Sequence, residues 1–407
     1  MIELATLAVL AAEIEARVTQ DKEVLQQMQA DVRPLKAATR RIQPRAATAI
    51  SLVGTDGGNN QLRFDPFRLQ LVRVVDSSNN EYCLEVITPR TPITELSRRH
   101  IDGSGKPLTA MGRMMAYLGA KDLSELSPVF NPNTEERSVS WMAVYREMTE
   151  WAVLFELIHN RDFGTDTLVV CDGLLRSKMF KGTLFGKYRE GLEDGIRRQF
   201  ERNRRRIYIC GIAKHNAILQ TYRIALAVEG VMRTAYPCYV EVPENIQEKV
   251  YVWDEYFSRA DKFVAGKMFL VKFGSGMHDP VWAVDLFLKQ RGEAQTVFGY
   301  LLEDAKDGFP IPFYPQCLQR AHENAALVDF DLEILEDQIH QALRSALGEK
   351  KWIIDELALP PYHFIRSRSG ASMSCIGVRA WAYFRTSGQT SKPCFSDFQA
   401  STGFAIA

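Results

Sequence analysis

The sequence TLVVCDGL at residues 167–174 decides the fold. Its aliphatic and β-branched side chains stop at an Asp-Gly pair, which is typical of a buried strand that ends in a turn. Downstream, the apolar spacing predicts a helix over residues 186–203, a strand over residues 206–212 and a helix over residues 218–227. Alternation of strands and helices indicates an α/β layer.

Three further strand-like segments precede this layer, at residues 47–53 (ATAISLV), 68–75 and 82–88. Residues 54–58 (GTDGG) follow the first and residues 76–80 (DSSNN) follow the second, and both are rich in turn formers. The pattern predicts an antiparallel meander. Together, this meander and the α/β layer of residues 167–227 predict an α/β fold with a mixed sheet flanked by helices.

Both ends of the chain differ from this central region. Residues 1–44 carry apolar side chains at helical spacing and predict a helical arm, which we interpret as a cover for the core rather than a partner-binding element. A further helical region is expected over residues 316–347. We therefore expect a central domain at residues 45–347 and a weakly patterned C-terminal extension at residues 348–407.

The composition is that of an ordinary folded protein. The 407 residues include 50 Lys+Arg and 50 Asp+Glu, which excludes a disordered chain and a histone-like protein that binds DNA by bulk charge. A local basic surface remains sufficient for contacts with phosphates. The seven cysteines are odd in number and lack C-x-x-C spacing, so we expect reduced thiols in a cytoplasmic protein. The sequence contains no apolar run long enough to predict a membrane span.

Two aspartates share the same local context. Asp56 and Asp172 each follow an apolar segment and precede glycine. An Asp-Gly pair alone is usually a turn. Two carboxylates at the ends of neighbouring strands, however, provide the hard oxygen ligands that Mg²⁺ and Mn²⁺ prefer.

The helix predicted at residues 139–160 supplies a third acidic candidate. Glu147 and Glu150 are three residues apart and share one face of this helix, and either fits a ligand role or a solvated edge. Glu156 lies on another part of the helical surface and is the weaker option. An Asp, Glu, Asp set on strand, helix and strand is used by ribonuclease H-like nucleases, in which two divalent ions act on a phosphodiester.

Two further segments place polar side chains after rigid elements. Lys214 directly follows the strand at residues 206–212, where it can hold a phosphate or orient a water. Residues 310–315 (PIPFYP) brace the start of a helix that carries His322. A histidine in that position can contact phosphate or donate a proton, although a lone histidine is more often structural.

The order of these motifs resembles the NurA nucleases. The matching elements are Gly-Thr-Asp56-Gly-Gly, a glutamate helix, Val-Cys-Asp172-Gly-Leu-Leu, Gly-Ile-Ala-Lys214 and Tyr314-Pro315 with Ala321-His322. The resemblance extends from about residue 47 to about residue 345.

The resemblance implies a ribonuclease H-like core, an Mn²⁺-dependent (or Mg²⁺-dependent) DNA exonuclease or endonuclease, a homodimer, and a HerA-type hexameric ATPase as partner in DNA end processing. It further implies that the metal ligands are Asp56, Glu150 and Asp172, with Glu147 as the alternative to Glu150. The accessory active-site residues that it implies are Lys214, Tyr314 and His322.

The positive charge is concentrated after Asp172. Residues 176–206 contain eleven Lys or Arg against four acidic residues, an excess of 11 − 4 = +7. This excess predicts a DNA-binding surface beside the metal site, unless it is only a solvated helix face. The predicted DNA contacts are Arg176, Lys178, Arg202, Arg204 and Arg205.

An alternative hypothesis is a catalytically silent dimeric scaffold that binds DNA and docks a translocase. Such a scaffold has no need of Asp56, Asp172, Lys214 and His322 at the ends of elements, so these residues favour the enzyme. The chain itself is not expected to use ATP, because Gly103-Ser104-Gly105-Lys106 lacks the first glycine and the Ser/Thr of a phosphate loop.

Overall fold

The computed structural model describes residues 4–46, 50–64, 67–131, 140–251 and 263–350. Within these ranges nine strands form one mixed sheet. The strands are β1 (Arg40–Arg41), β2 (Ser51–Phe64), β3 (Phe67–Asp76), β4 (Glu81–Ile87), β5 (Thr167–Asp172), β6 (Ile207–Ala213), β7 (Cys238–Glu241), β8 (Gly266–Lys272) and β9 (Val281–Phe287).

The same ranges contain twelve α-helices, most of them packed against the sheet. They are α1 (Leu4–Gln20), α2 (Lys22–Ala38), α3 (Ile93–His100), α4 (Ala110–Leu118), α5 (Leu123–Leu126), α6 (Ser140–Asn160), α7 (Leu184–Asn203), α8 (Ala217–Val228), α9 (Glu244–Val250), α10 (Ala294–Lys306), α11 (Gln316–Ala325) and α12 (Asp329–Leu347).

The strand order is β1-β7-β8-β9-β6-β5-β2-β3-β4. Strands β2, β5 and β6 are parallel to one another, and the remaining ladders are antiparallel. The predicted mixed sheet with flanking helices is therefore confirmed, as is the antiparallel pairing of the meander β2–β3–β4. The ribonuclease H-like arrangement stays a prediction.

Alternation of side chains along β5 divides the core into two layers. Val169 packs with the helices α4, α6 and α7 on one face. Leu168 and Val170 pack with α10 and α11 on the other face. This division matters for the site, because each residue at the end of β5 is directed to one of the two layers.

One strand is longer than the sequence predicted. The expected end of the first strand was residue 53, yet β2 continues through Asp56 to Phe64 and pairs with β3 along that length. The glycines at 54, 57 and 58 are compatible with the strand because neighbouring elements pack directly on its backbone. Asp56 therefore lies within a strand and not in a turn.

The two termini are helical where the sequence predicted helices, but the expectation that the whole arm covers the core was wrong: α2 buries Val32 and Leu35, whereas the apolar side chains of α1, such as Val9 and Val18, are exposed. Helices α1 and α2 occupy the predicted arm, and the helical region after residue 316 consists of two helices, α11 and α12. Most of the predicted extension, residues 351–407, lies outside the described residues. Among the described helices, none combines the length and apolar character that a membrane crossing requires.

Candidate active site

Asp56 and Asp172 are neighbours because two parallel ladders end beside them. The pairing of β2 with β5 ends at Thr55 opposite Cys171, so the next residue of each strand is an aspartate. The pairing of β5 with β6 ends at Asp172 opposite Ile212. The end of the parallel β2–β5 ladder thus brings both carboxylates together, as the sequence predicted, although β2 itself continues past Asp56.

Helix α11 places His322 against Asp56. The imidazole Nδ1 lies 2.6 Å from Asp56 Oδ2. The close approach of α11 depends on Gly54, since a Cβ there would collide with the carbonyl of Cys317 in the first turn of α11. Residues 54 and 56 share a face of β2, so the same packing that brings α11 onto Gly54 directs Asp56 towards His322.

Asp172 accepts hydrogen bonds from two side chains beside the end of β5. Lys214 Nζ donates to Oδ2 at 2.9 Å, and the hydroxyl of Tyr314 donates to Oδ1 at 3.1 Å. Lys214 directly follows β6, and Asn216 then caps α8 by accepting hydrogen bonds from two backbone N–H groups. Tyr314 is fully buried, and its loop is held where Trp282 Nε1 donates to the carbonyl of Phe313 at 2.7 Å.

Asp56, Asp172 and His322 are suited to hold a divalent cation. In the described part of the chain, each offers a ligand atom, and these atoms lie within 4.8 Å of one another. Two carboxylates and one imidazole are ligands that Mn²⁺ accepts, and carboxylates also suit Mg²⁺. The donor set therefore fits the predicted metal, although His322 was predicted as an accessory residue and not as a ligand.

Glu150 approaches the aspartates from the opposite face of β2. It lies on α6 beside Gly57, where an added Cβ would collide with its carboxylate. Its Oε1 is 3.3 Å from Arg146 Nε. Glu150 is outside the group of three converging residues described above, so its role as a metal ligand stays a prediction.

Glu147, the alternative ligand, points into a cavity of about 230 Å³ that also borders Glu150 and Asp172. Its Oε1 accepts hydrogen bonds from Ser177 Oγ at 2.5 Å and from Trp151 Nε1 at 3.4 Å. These bonds fix Glu147 on the α6 side of the sheet. The cavity offers space beside the carboxylates on that side.

The surroundings shift the pKa values of the two aspartates in opposite directions. Burial raises the pKa of Asp56, but the hydrogen bond and charge of His322 outweigh it, so that the pKa is lowered overall. Burial raises the pKa of Asp172, and the charge of Asp56 adds to this effect, while Lys214 and Tyr314 oppose it. The pKa of His322 is raised, chiefly by its hydrogen bond to Asp56. Each member of the Asp56–His322 pair therefore favours the charged form of the other.

The glutamates are affected mainly by loss of hydration. Burial raises the pKa of Glu150 to about 8, against the opposing charge of Arg146, and the nearby Asp56 raises it further. Burial also raises the pKa of Glu147. At neutral pH and without a bound cation, Glu150 is therefore mostly protonated.

The predicted basic surface is only partly beside this site. Arg176 is buried and donates from Nε and Nη2 to Asp285 at 2.7 Å, so its guanidinium is engaged inside the protein and not on a DNA-binding surface. Lys178 is exposed, and its charge acts on Glu147. Of the predicted DNA contacts, Lys178 is the one that lies both exposed and near the carboxylates.

Arg202, Arg204 and Arg205 lie at the other end of the sheet. They are exposed and precede β6, whereas Lys214 follows it. Seven residues of strand at about 3.3 Å each separate the two ends by about 20 Å. The expectation that this arginine cluster adjoins the metal site was wrong, because the parallel strand β6 carries the chain from one end of the sheet to the other.

Sequence reasoning missed Arg146 and Ser177. Arg146 precedes Glu150 by four residues on α6, so the spacing of an i, i+4 ion pair was a usable signal. Ser177 donates a hydrogen bond to Glu147, which lies 30 positions earlier in the chain, and no local sequence pattern predicts that contact.

By sequence, the chain matches no protein-family profile and no curated protein. It is similar to the crystal structure of the NurA nuclease from Sulfolobus solfataricus, with 12% identity and a TM-score of 0.37 over 85% of this chain and 98% of that chain. A crystal structure of NurA bound to dAMP and manganese matches with 8% identity and a TM-score of 0.37 over 80% and 94%. Another, of NurA with manganese, matches with 11% identity and a TM-score of 0.33 over 81% and 98%. Each of these three solved structures is a NurA structure.

Proposed function

We propose that this protein is a divalent-metal-dependent DNA nuclease that hydrolyses phosphodiester bonds as an exonuclease, a single-strand endonuclease, or both. The observation that carries the proposal is the convergence of three residues: Asp56 within β2, Asp172 at the end of β5 and His322 on α11. Lys214 and Tyr314 add a cation and a hydroxyl to the same edge. A purely structural edge has no need of this set.

Each residue has a role that its contacts support. Asp56 and Asp172 would hold the ion, with His322 as the third ligand and Glu150 as a further candidate. A bound divalent ion supplies Lewis-acid charge and lowers the pKa of a water. Tyr314 keeps the Asp172 carboxylate oriented through its hydrogen bond. Lys214 carries a positive charge that is able to bind the scissile phosphate when it leaves Asp172.

The remaining parts of the proposal come from the resemblance to the NurA nucleases. They are Mn²⁺ as the preferred metal, a ribonuclease H-like core, a homodimer, a HerA-type hexameric ATPase as partner, and a role in DNA end processing, repair or defence. The parallel strands β2, β5 and β6 beside the meander support the core assignment. Five free cysteines among the described residues support a reducing, cytoplasmic setting.

The deciding experiment compares wild type with Asp56→Asn and Asp172→Asn on linear single-stranded and double-stranded DNA in Mn²⁺. Asp194→Asn is the matched control, because it removes an exposed carboxylate that pairs with Arg197 away from the site. We expect cleavage by wild type and by the control, and loss of cleavage in the two site variants.

Two other outcomes decide against parts of this proposal. Cleavage that survives both site substitutions contradicts the assigned residues. DNA binding without cleavage in any divalent metal, with or without a translocase partner, favours the silent scaffold instead.

A further inference from the structure

Arg146 occupies an unusual position beside the carboxylates. It lies on α6 one turn before Glu150, and its Nε is 3.3 Å from Glu150 Oε1. Nevertheless, this buried Nε has no hydrogen-bond partner among the described residues. The contact with Glu150 is therefore close but contains no aligned hydrogen bond. A buried donor left in this state calls for an explanation.

The other cations around the site are held differently. Lys214 donates to Asp172, and His322 is hydrogen-bonded to Asp56. Arg176 makes two hydrogen bonds to Asp285. Arg146 is thus the cation whose donors are least used within the described part of the site, although a guanidinium has five N–H donors.

The donors of Arg146 that are unpaired among the described residues lie near the carboxylates of the candidate site and partly in contact with solvent. The Arg146 side chain is 27% exposed, so its outer part reaches solvent while its Nε is covered. Its charge acts on Asp56, Glu147 and Glu150, which places it among the carboxylates on the α6 side. A phosphate carries both negative charge and several acceptor oxygens, so it matches a guanidinium better than a misaligned carboxylate does.

We propose that Arg146 binds a phosphate oxygen of the DNA strand at the candidate site and releases Glu150 when it does so. The inference rests on the proposed nuclease function and adds a substrate contact to it. Glu150 and the DNA phosphate are then competitors for one guanidinium.

The first test measures binding of a fluorescein-labelled single-stranded oligonucleotide by anisotropy, without divalent metal, over a series of salt concentrations. We expect Arg146→Gln to weaken binding about tenfold or more, because a charge-assisted hydrogen bond is lost. The slope of log affinity against log salt should fall by about one. Arg146→Lys, which retains the charge, should lie between the two proteins.

Arg113→Gln is the matched control. Arg113 lies on α4, and its Nε is 2.5 Å from Oε2 of Glu156, which lies on α6 like Arg146 but outside the site. We expect this variant to bind like wild type. Equal affinity and equal salt slope in wild type and Arg146→Gln would overturn the inference. A lower melting temperature of Arg146→Gln with an unchanged slope would also overturn it, because that result indicates a structural role alone.

The second test examines the proposed competition between Glu150 and the DNA phosphate for Arg146. At about pH 9, above the raised pKa of Glu150, its carboxylate is charged, so Glu150→Gln should strengthen metal-free DNA binding there. This gain should vanish in the Arg146→Gln/Glu150→Gln double variant. A gain that persists in the double variant would come from the lost negative charge and would contradict the inference.

Failure of this inference is distinguishable from failure of the proposed function. If wild type cuts DNA and Arg146→Gln keeps its KM and salt slope, the nuclease proposal stands and the arginine contact is excluded. If wild type cuts no DNA while its binding still depends on Arg146, the arginine contact stands and the nuclease proposal fails.

Discussion

The imidazole of His322 lies 2.6 Å from the carboxylate of Asp56, although the two residues are 266 positions apart in the chain. Strand β2 holds the aspartate and helix α11 holds the histidine. The pair joins two elements of the fold at the point where the metal ligands are proposed to converge.

The first prediction concerns the histidine of this pair. We expect His322→Ala to weaken Mn²⁺ binding at least about tenfold, because a nitrogen ligand and the partner of Asp56 are lost together. Isothermal titration of Mn²⁺ into metal-free protein measures the effect. His278→Ala, which removes an exposed histidine elsewhere, should bind Mn²⁺ like wild type. Equal Mn²⁺ affinity in His322→Ala and wild type would exclude His322 as a ligand.

The second prediction separates metal binding from catalysis at Lys214. Its ammonium group occupies Asp172 Oδ2 at 2.9 Å, so Lys214→Gln should leave that carboxylate more available and raise Mn²⁺ affinity. DNA cleavage should nevertheless fall by roughly 10²-fold, since a group that stabilises charge in the transition state is lost. Titration of Mn²⁺ and steady-state cleavage of DNA are the two measurements.

Lys289→Gln serves as the control for this experiment, because Lys289 is an exposed lysine outside the site. It should leave both quantities unchanged. Undiminished cleavage by Lys214→Gln would show that Lys214 has no part in the chemistry.

The third prediction tests how Glu150 reaches the site. A Cβ on Gly57 would collide with the Glu150 side chain, so Gly57→Ala should lower stability by about 1–3 kcal/mol and reduce cleavage. Removal of the colliding side chain in Gly57→Ala/Glu150→Ala should recover part of that stability. Urea unfolding of the single and double variants gives the coupling free energy between the two positions.

Gly103→Ala is the matched control, because a Cβ there meets open space. Its stability should be close to that of wild type. Strictly additive effects in the double variant would mean that Glu150 does not lie against Gly57.

The fourth prediction concerns the response of stability to pH at His100, far from the proposed metal ligands in sequence. Its ring nitrogens contact Thr109 Oγ1 at 2.9 Å and the Tyr145 hydroxyl at 2.8 Å. Burial lowers the pKa of His100; the charge of Glu85 opposes the effect and that of Arg99 adds to it. The folded protein therefore binds this proton less tightly than the unfolded chain, whose histidine has a pKa of about 6.5.

The stabilising contribution of neutral His100 is consequently present above about pH 6.5 and is lost as the pH falls below it. The free energy of unfolding, measured in urea at about pH 5 and about pH 7.5, should decrease towards low pH by up to about 1.4 kcal/mol per pH unit more in wild type than in His100→Asn. An identical pH dependence in the two proteins would contradict the buried neutral state of His100.

Much of the fold was accessible from local patterns. The segment TLVVCDGL became β5, and the neighbouring helix and strand predictions correspond to α7, β6 and α8 within a few residues. The turn predicted at residues 54–58 was wrong, because helices packed on the glycines allow β2 to continue there. Glycine spacing alone does not distinguish a turn from a strand on which other backbones pack closely.

The sequence by itself determined that Asp56 and Asp172 each follow an apolar, strand-forming segment, and the two segments pair in parallel. Local hydrophobic periodicity is sufficient to identify such segments. Only the tertiary structure decided which face each side chain takes. Strand alternation directs Asp56 to His322, whereas Glu150 arrives across Gly57 from the opposite layer. The tertiary structure also places Arg202 at the end of β6 opposite to Lys214, because the extended strand separates residues that precede it from residues that follow it.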